Sequence, residues 1–215
     1  VDDDTNGNSD IFLRDRSAGT TLRVSLTHAG RQIAGPSWWP SLSADARYVA
    51  FCSWSGDIVP GDTNNVVDVF LRDRTAGATE LISLSTEGVP ADDGACMPSL
   101  SSDGRYVAFN SAATTLVIGD EGDEPDLGDV FRRDRLTRVT VRLSLSSEGE
   151  KGNDISGYGQ RVAISADGSA TVFSSLASNL AWPDSLLSWD VYVRNQAAGV
   201  TERASLGEFG LQADR

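Results

Sequence analysis

Histidine, lysine and methionine each occur once among the 215 residues, and cysteine occurs only twice. A single histidine, His28, cannot supply the ligands of a histidine-based zinc site, and it is the only base available for a Ser-His-Asp triad. The chain also lacks the Gly-x-Ser-x-Gly motif that presents a hydrolase nucleophile. The residue inventory therefore disfavours the common histidine-dependent enzyme classes, and His28 is interpreted as a surface-loop residue.

Long apolar runs and an excess of basic residues are also missing. No apolar stretch approaches the roughly 20 residues of a membrane-spanning helix. The 31 acidic residues outnumber the 18 basic ones, giving a net charge of −13 and a pI near 4.4. A phosphate backbone or an anionic lipid surface requires a basic face. We therefore expect neither nucleic acid nor a membrane as a partner.

The residues that are abundant favour strands and turns. The acids are 23 Asp and only 8 Glu, and 21 glycines accompany them. Asp and Gly favour turns, whereas helical surfaces are usually rich in Glu, Lys and Ala. The hydrophobic fraction of 40% is enough for a buried core. We expect a globular, all-β protein.

A repeat of about 60 residues organises the whole chain. The segment Asp-Ile-Phe-Leu-Arg-Asp-Arg begins at Asp10 and returns, with small changes, at Asp68, Asp129 and Asp190, which are 58, 61 and 61 residues apart. Between these copies lies a second block, Pro-Ser-Leu-Ser-x-Asp-x-Arg-Tyr-Val-Ala-Phe, which occupies 40–51 and 98–109, with a weaker version ending at Phe173. Fixed-period similarity of this kind predicts a repeat architecture.

Each period predicts four antiparallel strands. Pro-Ser-Leu-Ser is a short first strand, a tight turn follows, Arg-Tyr-Val-Ala-Phe alternates as the second, and the Asp-Val-Phe segment forms the third. A turn closed by Gly leads into the fourth strand, Thr-x-Arg-Val-Ser-Leu. Ala46 replaces the glycine of the first turn in one copy, which predicts local backbone strain, and Arg138 stands in place of the glycine of the second turn in another. Four-stranded meanders at a fixed period are typical of β-propeller blades.

These motifs resemble a known family. Gly-Asp-Thr-Asn before Asp-Val-Phe-Leu-Arg-Asp-Arg, together with Ser-x-Asp-Gly-Arg-Tyr-Val-Ala-Phe, is similar to the TolB-type, WD-repeat-like β-propeller repeats of bacterial secreted proteins. The resemblance covers nearly the whole chain in about three and a half copies and implies an extracytoplasmic, secreted or periplasmic location. It implies little about function, since such propellers serve as binding platforms, enzyme domains and structural units.

The strand count predicts an unfinished ring. Two strands precede three blades of four, so the 14 strands do not close a propeller of four to eight blades. Either the chain is a fragment of a longer protein, or a second chain completes the ring. The predicted division is a half blade at 1–26, blades at 27–84, 85–145 and 146–206, and a tail at 207–215.

Oxygen-rich loops before the third strands predict calcium sites. Oxygen ligands at alternate positions suit a hard cation that takes six to eight oxygens. The candidates are Asp4, Asn6, Asn8 and Asp10 in the first copy, Asp62, Asn64, Val66 through its carbonyl and Asp68 in the second, and Asp123, Asp126 and Asp129 in the third. The alternative is that Asp and Asn only form Asx-turns there.

Two further groups of side chains invite interpretation. Trp38, Trp39 and Trp54 fall at blade ends and loops, where they either stack on a sugar or a protein partner or fill gaps between blades. Arg14 and its repeats are interpreted structurally, as partners of Asp across the ladder, while Asp15 begins a turn.

Cys52 ends a second strand, and Cys96 opens a first strand in the next blade. In a meandering blade both positions lie toward the same face, so the thiols either form one disulfide or remain two separate buried groups. A disulfide would fit a secreted protein.

The sequence favours a non-catalytic, calcium-stabilised binding platform for a protein or carbohydrate ligand. The alternative is a propeller domain or fragment of a hydrolase or lyase that acts on polysaccharides. Paired carboxylates are numerous enough to leave that alternative open.

Overall fold

The computed structural model describes residues 4–119, 128–157, 159–182 and 188–207, and the elements in these ranges are strands. In the same part of the chain, no helix has the length and apolar character needed to cross a membrane. The strands are β1 Phe12–Asp15, β2 Thr20–Arg23, β3 Ser37–Leu42, β4 Tyr48–Ser53, β5 Asp68–Asp73, β6 Ala78–Leu81, β7 Ala95–Leu100, β8 Tyr106–Ser111, β9 Asp129–Asp134, β10 Val139–Arg142, β11 Ala163–Ile164, β12 Ala170–Ser175, β13 Asp190–Asn195 and β14 Val200–Arg203.

The strands form antiparallel meanders in chain order. Three sheets have four strands each, β3 to β6, β7 to β10 and β11 to β14, and β1 pairs with β2 in a two-stranded sheet. Within the described ranges, the two-stranded sheet shares no ladder with any of the others. This arrangement confirms the predicted all-β propeller segment.

Consecutive sheets contact each other through their first strands. The Ser41 hydroxyl in β3 accepts a hydrogen bond from the backbone of Leu100 in β7, at 3.0 Å. Ser99 in β7 accepts the equivalent bond from Ile164 in β11, at 3.1 Å. The first strands therefore converge, as the inner strands of propeller blades do.

The core is divided between the sheets rather than enclosed by one of them. Because side chains alternate along a strand, Val49 and Phe51 of β4 pack toward the two-stranded sheet, whereas Ala50 joins the cluster shared with the β7–β10 sheet. Each four-stranded sheet also contains an aromatic pair from its second and third strands at 6.0 Å between ring centroids. The pairs are Phe51 with Phe70, Phe109 with Phe131, and Phe173 with Tyr192.

Tyrosine rings cover the turn glycines of the next sheet. A Cβ atom on Gly104 would lie 2.3 Å from a ring carbon of Tyr48, and one on Gly168 would lie 2.1 Å from a ring carbon of Tyr106. Both glycines have positive φ angles, +69° and +74°. Only glycine satisfies both conditions. Ala46, in the first copy of the same turn, has a φ of 58°, which confirms the strain predicted there.

Candidate functional site

The aspartate that opens each third strand has the same hydroxyl partner in all four repeats. Its Oδ1 accepts a hydrogen bond from a serine that follows the fourth strand, and the serine oxygen also accepts the backbone N–H after the aspartate. The Asp–Ser pairs are Asp10 with Ser25, Asp68 with Ser83, Asp129 with Ser144, and Asp190 with Ser205. These aspartates are therefore part of the fold before any ligand is considered.

The first predicted calcium loop already contains a cation. Arg23, at the end of β2, pairs with Asp10 at 3.3 Å and with Asp4 at 3.4 Å. Gln32 donates to the same two carboxylates, at 2.9 Å each. The guanidinium pairs with both carboxylates and offsets one of their two negative charges, so these contacts do not favour calcium at this loop, where it stays a prediction.

The two asparagines of the first loop also serve the fold. Asn6 donates through Nδ2 to the carbonyl of Ile33 at 2.8 Å, and Asn8 donates through Nδ2 to that of Ala34 at 2.9 Å. The Asn6 Oδ1 accepts the backbone N–H of Asn8, which makes an Asx-turn. These contacts fasten the loop to residues 33–34 and engage the amide oxygen of Asn6.

The second loop differs in charge balance. Asp68 is completely buried, with Oδ1 bonded to Ser83 and Oδ2 without a hydrogen-bond partner. The Oδ1 atom of Asp62 is also buried and without a partner. Burial raises the pKa of Asp68 to about 6, against the lowering effect of hydrogen bonding by Ser83 and Asn64, and the Asp62 charge adds a smaller increase. Burial likewise raises the pKa of Asp62.

The remaining ligands of this loop lie beside the two carboxylates in sequence. Asn64 donates to the carbonyl of Ala91 at 2.8 Å, while its Oδ1 accepts the Val66 N–H at 3.3 Å. In the described part of the chain, no group of three or more Asp, Glu, His or Cys side chains forms a metal cluster. The second loop can therefore offer two carboxylates, with the Asn64 amide and the Val66 carbonyl next to them.

The third and fourth copies of the loop offer fewer free ligands for a metal ion. Asp123 and Asp126 lie outside the described residues. Asp129 pairs with Arg142 at 2.9 Å, and Asp190 pairs with Arg203 at 3.7 Å. Both aspartates therefore have an arginine from the fourth strand, as Asp10 does.

The prediction that the repeated arginines of the third strands pair with aspartate is wrong. Arg72 is buried and donates to the carbonyl of Thr27, in the loop before the same sheet, and to the Thr79 hydroxyl. Arg133 and Arg194 make the equivalent bonds in the next two sheets. Their position is too far inside for a solvated ion pair, and backbone carbonyls compensate the guanidinium instead. The predicted turn role of Asp15 is confirmed, because it accepts the N–H groups of Ser17 and Ala18.

The three tryptophans separate into two groups. Trp38 and Trp54 meet edge to face, with ring centroids 6.4 Å apart, and Trp54 is 62% exposed. Trp39 is 40% exposed and lies apart from that pair, with the guanidinium carbon of Arg161 5.2 Å from its ring centroid. They therefore do not form one continuous aromatic platform.

Trp39 belongs to a pocket where the inner strands converge. Residues 39–41, 97–99 and 161–162 line it and enclose a cavity of about 130 Å³, which we call the axial pocket. Alignment of the repeats places Trp39, Met97 and Arg161 at the same position in three successive copies. Trp39 and Met97 adopt positive φ angles of 53° and 54°, next to irregularities in the β3 and β7 ladders. Strained residues of this kind are often found at functional sites.

Links between sheets hold the axial residues in place. The Cys52–Cys96 disulfide joins β4 to β7 directly before Met97, and the Met97 N–H donates to the sulfur of Cys52 at 3.1 Å. This disulfide confirms the predicted pairing. Directly before Arg161, the carbonyl of Gln160 accepts a hydrogen bond from Asn110 of β8.

His28 has a structural contact. Its Nδ1 lies 2.9 Å from the carbonyl of Thr79, which it joins as a donor when that nitrogen carries the proton. The ring therefore attaches the 27–31 turn to β6.

Sequence reasoning missed Met97 and Arg161 as members of a site. The signal available in the sequence was the position before Pro40, Pro98 and Val162, which holds a different residue in each copy although the block that follows is regular. A variable position on a converging scaffold indicates a surface for recognition.

Comparison with known proteins supports the fold. No family model and no curated protein matches this sequence. Among solved structures, TolB from Acinetobacter baumannii matches with a TM-score of 0.55 and 18% identity over 94% of this chain, and putative TolB from Agrobacterium tumefaciens with 0.55 and 19% over 92%. This chain covers 38% and 56% of those two chains. An oligogalacturonate lyase in complex with manganese matches at 0.51 and 15% identity, over 90% of this chain and 41% of the lyase. The fold is thus a TolB-like β-propeller, as the repeat predicts.

Proposed function

We propose that this TolB-like propeller segment is a non-catalytic binding platform whose axial pocket receives a segment of a protein partner. The observation that carries the proposal is the position of Arg161 over Trp39. Among the described residues, the Arg161 guanidinium makes no ion pair and no hydrogen bond. It therefore offers a cation and several N–H donors beside an apolar surface.

The chemistry of the axial pocket defines the ligand. Trp39 and Met97 provide a large aromatic face and a flexible apolar side chain. The hydroxyl oxygens of Ser41 and Ser99 each accept a backbone N–H, which leaves their O–H groups as neutral donors, so Arg161 supplies the positive charge of the pocket. These features fit a carboxylate next to an apolar side chain, as an acidic peptide segment presents them.

The net charge of the chain limits the size of the anionic group. At −13, the protein repels a polyanion such as a long acidic glycan, whereas one carboxylate needs only one favourable pairing. A solved nidogen/laminin complex contains a chain that matches this fold with a TM-score of 0.51 and 8% identity, so one protein of this shape occurs in a protein complex.

A carbohydrate is the second candidate ligand. The exposed face of Trp54, supported by Trp38, has the aromatic surface on which a sugar ring stacks. This surface is separate from the axial pocket, so the two candidates can be tested with different variants. The alternative of a polysaccharide-acting enzyme has no supporting constellation in the described residues.

The disulfide supports an extracytoplasmic location. Such bonds persist in oxidising compartments and are rare in the bacterial cytosol. We therefore place the binding function in the periplasm or outside the cell.

The experiment is a titration of tryptophan fluorescence with paired short peptides. One member of each pair carries Leu-Asp and the other Leu-Asn, in otherwise identical sequences. We expect the acidic member to bind at least about tenfold more tightly, since a charge-assisted bond is lost in the amide. Arg161→Gln and Trp39→Ala should remove the preference, and Trp54→Ala should keep it. Equal binding of both members, or a preference that survives Arg161→Gln, would refute the proposal.

A further inference from the structure

The last residue of the fourth strand is arginine in three repeats and leucine in one. Arg23, Arg142 and Arg203 each pair with the aspartate that opens their own third strand. The equivalent residue beside Asp68 is Leu81, at the end of β6. The second repeat has therefore kept the buried carboxylate and lost the cation that accompanies it elsewhere.

The loss leaves two buried oxygens without partners. Asp68 is 0% exposed, and its Oδ2 has no well-formed hydrogen bond, although the Asn64 side chain lies near enough to lower the pKa of Asp68 against the effect of burial. Asp62 contributes a second buried and unbonded oxygen, and its charge acts on Asp68. Burying an uncompensated carboxylate is costly, and natural proteins compensate it with a partner charge or a metal. Two neighbouring carboxylates without a positive charge destabilise the folded protein unless a bound cation compensates them.

We propose that the loop of Asp62 and Asp68 binds one calcium ion, which occupies the role that an arginine has in the other repeats. Both unpartnered atoms are carboxylate oxygens, and the Val66 carbonyl is a further oxygen in the loop. The Asn64 amide oxygen already accepts the Val66 N–H, as the Asn6 amide oxygen accepts the Asn8 N–H in the first loop. An oxygen-only donor set selects a hard cation over softer metals. Calcium accepts irregular sets of six to eight oxygens, including water, whereas magnesium requires a tighter octahedron.

The ion has a route to the loop. Asp62 lines an open cavity of about 250 Å³ together with Asp57, His28, Arg31 and neighbouring residues. Asp57 acts on Asp62 through its charge, so a second carboxylate lies along this route. The site is independent of the axial pocket, and neither proposal requires the other.

The first test is metal binding to the folded protein. The chain is treated with a chelator, and thermal unfolding is then followed with and without added calcium or magnesium. We expect calcium at a hundredfold excess over its dissociation constant to raise Tm by about 5 °C or more, since it binds only the folded state. Magnesium should have a smaller effect. Terbium luminescence, sensitised by tryptophan, provides a direct readout of binding.

Two variants, Asp68→Asn and Leu81→Arg, distinguish this loop from other acidic loops. Asp68→Asn should weaken terbium binding by at least about tenfold, because it removes one of two charged ligands. Leu81→Arg should restore the arginine of the other repeats, abolish the calcium response and raise Tm in chelator. Arginines at the equivalent positions 142 and 203 are only 6% and 8% exposed, so the fold accommodates the side chain there.

The controls are matched in size and place. Leu81→Met keeps the volume without a charge and should retain the calcium response. Asp4→Asn changes the first loop, where Arg23 is already present, and should also retain it. The proposal is overturned if calcium leaves Tm and terbium luminescence unchanged, or if the response persists in both Asp68→Asn and Leu81→Arg. Loss of the response in Asp4→Asn instead would assign the ion to the first loop and would equally overturn it.

Discussion

Asn110 occupies in β8 the position that Cys52 occupies in β4, and both side chains reach across to the next sheet. Cys52 forms the disulfide with Cys96, and Asn110 donates through Nδ2 to the carbonyls of Gly157 at 2.6 Å and Gln160 at 3.2 Å. The same place in two successive blades therefore uses a covalent bond once and a hydrogen-bonded amide once.

Reduction of the disulfide should destabilise the folded chain. The bond closes a loop across 44 residues, for which loop-closure entropy gives about 4 kcal/mol, and measured values are typically about 2–4 kcal/mol. Urea unfolding of the oxidised and reduced protein measures the difference. The double variant Cys52→Ala with Cys96→Ala is the control, because reductant should not change its midpoint. Equal midpoints for the oxidised and reduced wild type would contradict the prediction.

Loss of the Asn110 side-chain hydrogen bonds should also destabilise the folded chain. Asn110→Ala removes the donor that serves two carbonyls in a buried setting, and we expect a loss of about 1–3 kcal/mol in the free energy of unfolding. Asn110→Asp should cost more at pH 7 than at pH 4, because an ionised carboxylate would face two carbonyl oxygens. The exposed Gln160→Ala is the comparison, because it removes an amide side chain but keeps the backbone carbonyl, and we expect an effect near or below about 0.5 kcal/mol. A similar loss in Asn110→Ala and Gln160→Ala would show that the link contributes little.

Steric contact between neighbouring blades should make the substitution of one turn glycine more destabilising than that of another. Gly104→Ala places its Cβ 2.3 Å from a Tyr48 ring carbon, whereas Gly77→Ala meets nothing within 4 Å at a similar φ of +66°. We expect about 1–2 kcal/mol of destabilisation for Gly77→Ala, from the backbone alone, and at least about 2 kcal/mol more for Gly104→Ala. Chemical denaturation measures both. In a Tyr48→Ala background the excess cost of Gly104→Ala should disappear, and persistence of that excess would locate the strain elsewhere.

Two ion pairs predict a loss of stability in acid. Arg47 holds the pKa of Asp73 at about 2, and Arg105 does the same for Asp134, both below the ordinary value of 3.8. A depressed pKa contributes stability that is complete above pH 4 and is lost as the pH falls toward 2. Arg47→Met and Arg105→Met should therefore flatten the decline of the urea midpoint between pH 4 and pH 2. A decline as steep as that of the wild type would show that these pairs do not cause it.

The repeat made the fold predictable from the sequence. Tight turns, alternation along the second strand and the returning Asp-Val-Phe segment are local signals, and each of them gives the same strand order. The positive φ angles of Ala46 and Arg138 were predictable for the same reason, since each replaces a glycine at a known turn position.

The candidate sites were less predictable because they depend on contacts between residues that are distant in sequence. The first loop has the richer set of oxygen side chains, but only the structure shows that Arg23 already lies between Asp4 and Asp10. Leu81 is recognised as the replacement of an arginine only when the last residues of the four fourth strands are compared with the aspartates that they face. Trp39 and Arg161 are in contact although more than 120 residues separate them in sequence, so no local sequence pattern predicts this contact.

The different links between blades also have a consequence for assembly. Nearly identical third strands offer a folding chain the opportunity to dock a blade against the wrong neighbour, one repeat too far along. Cys52 can be satisfied only by the blade that carries Cys96. Asn110 requires the backbone at Gly157, which lies so close to Val130 that a Cβ there would fall 2.7 Å from it. A skipped blade would leave a free thiol or an unbonded amide, so the two unequal links favour the native order of the blades over a misdocked one.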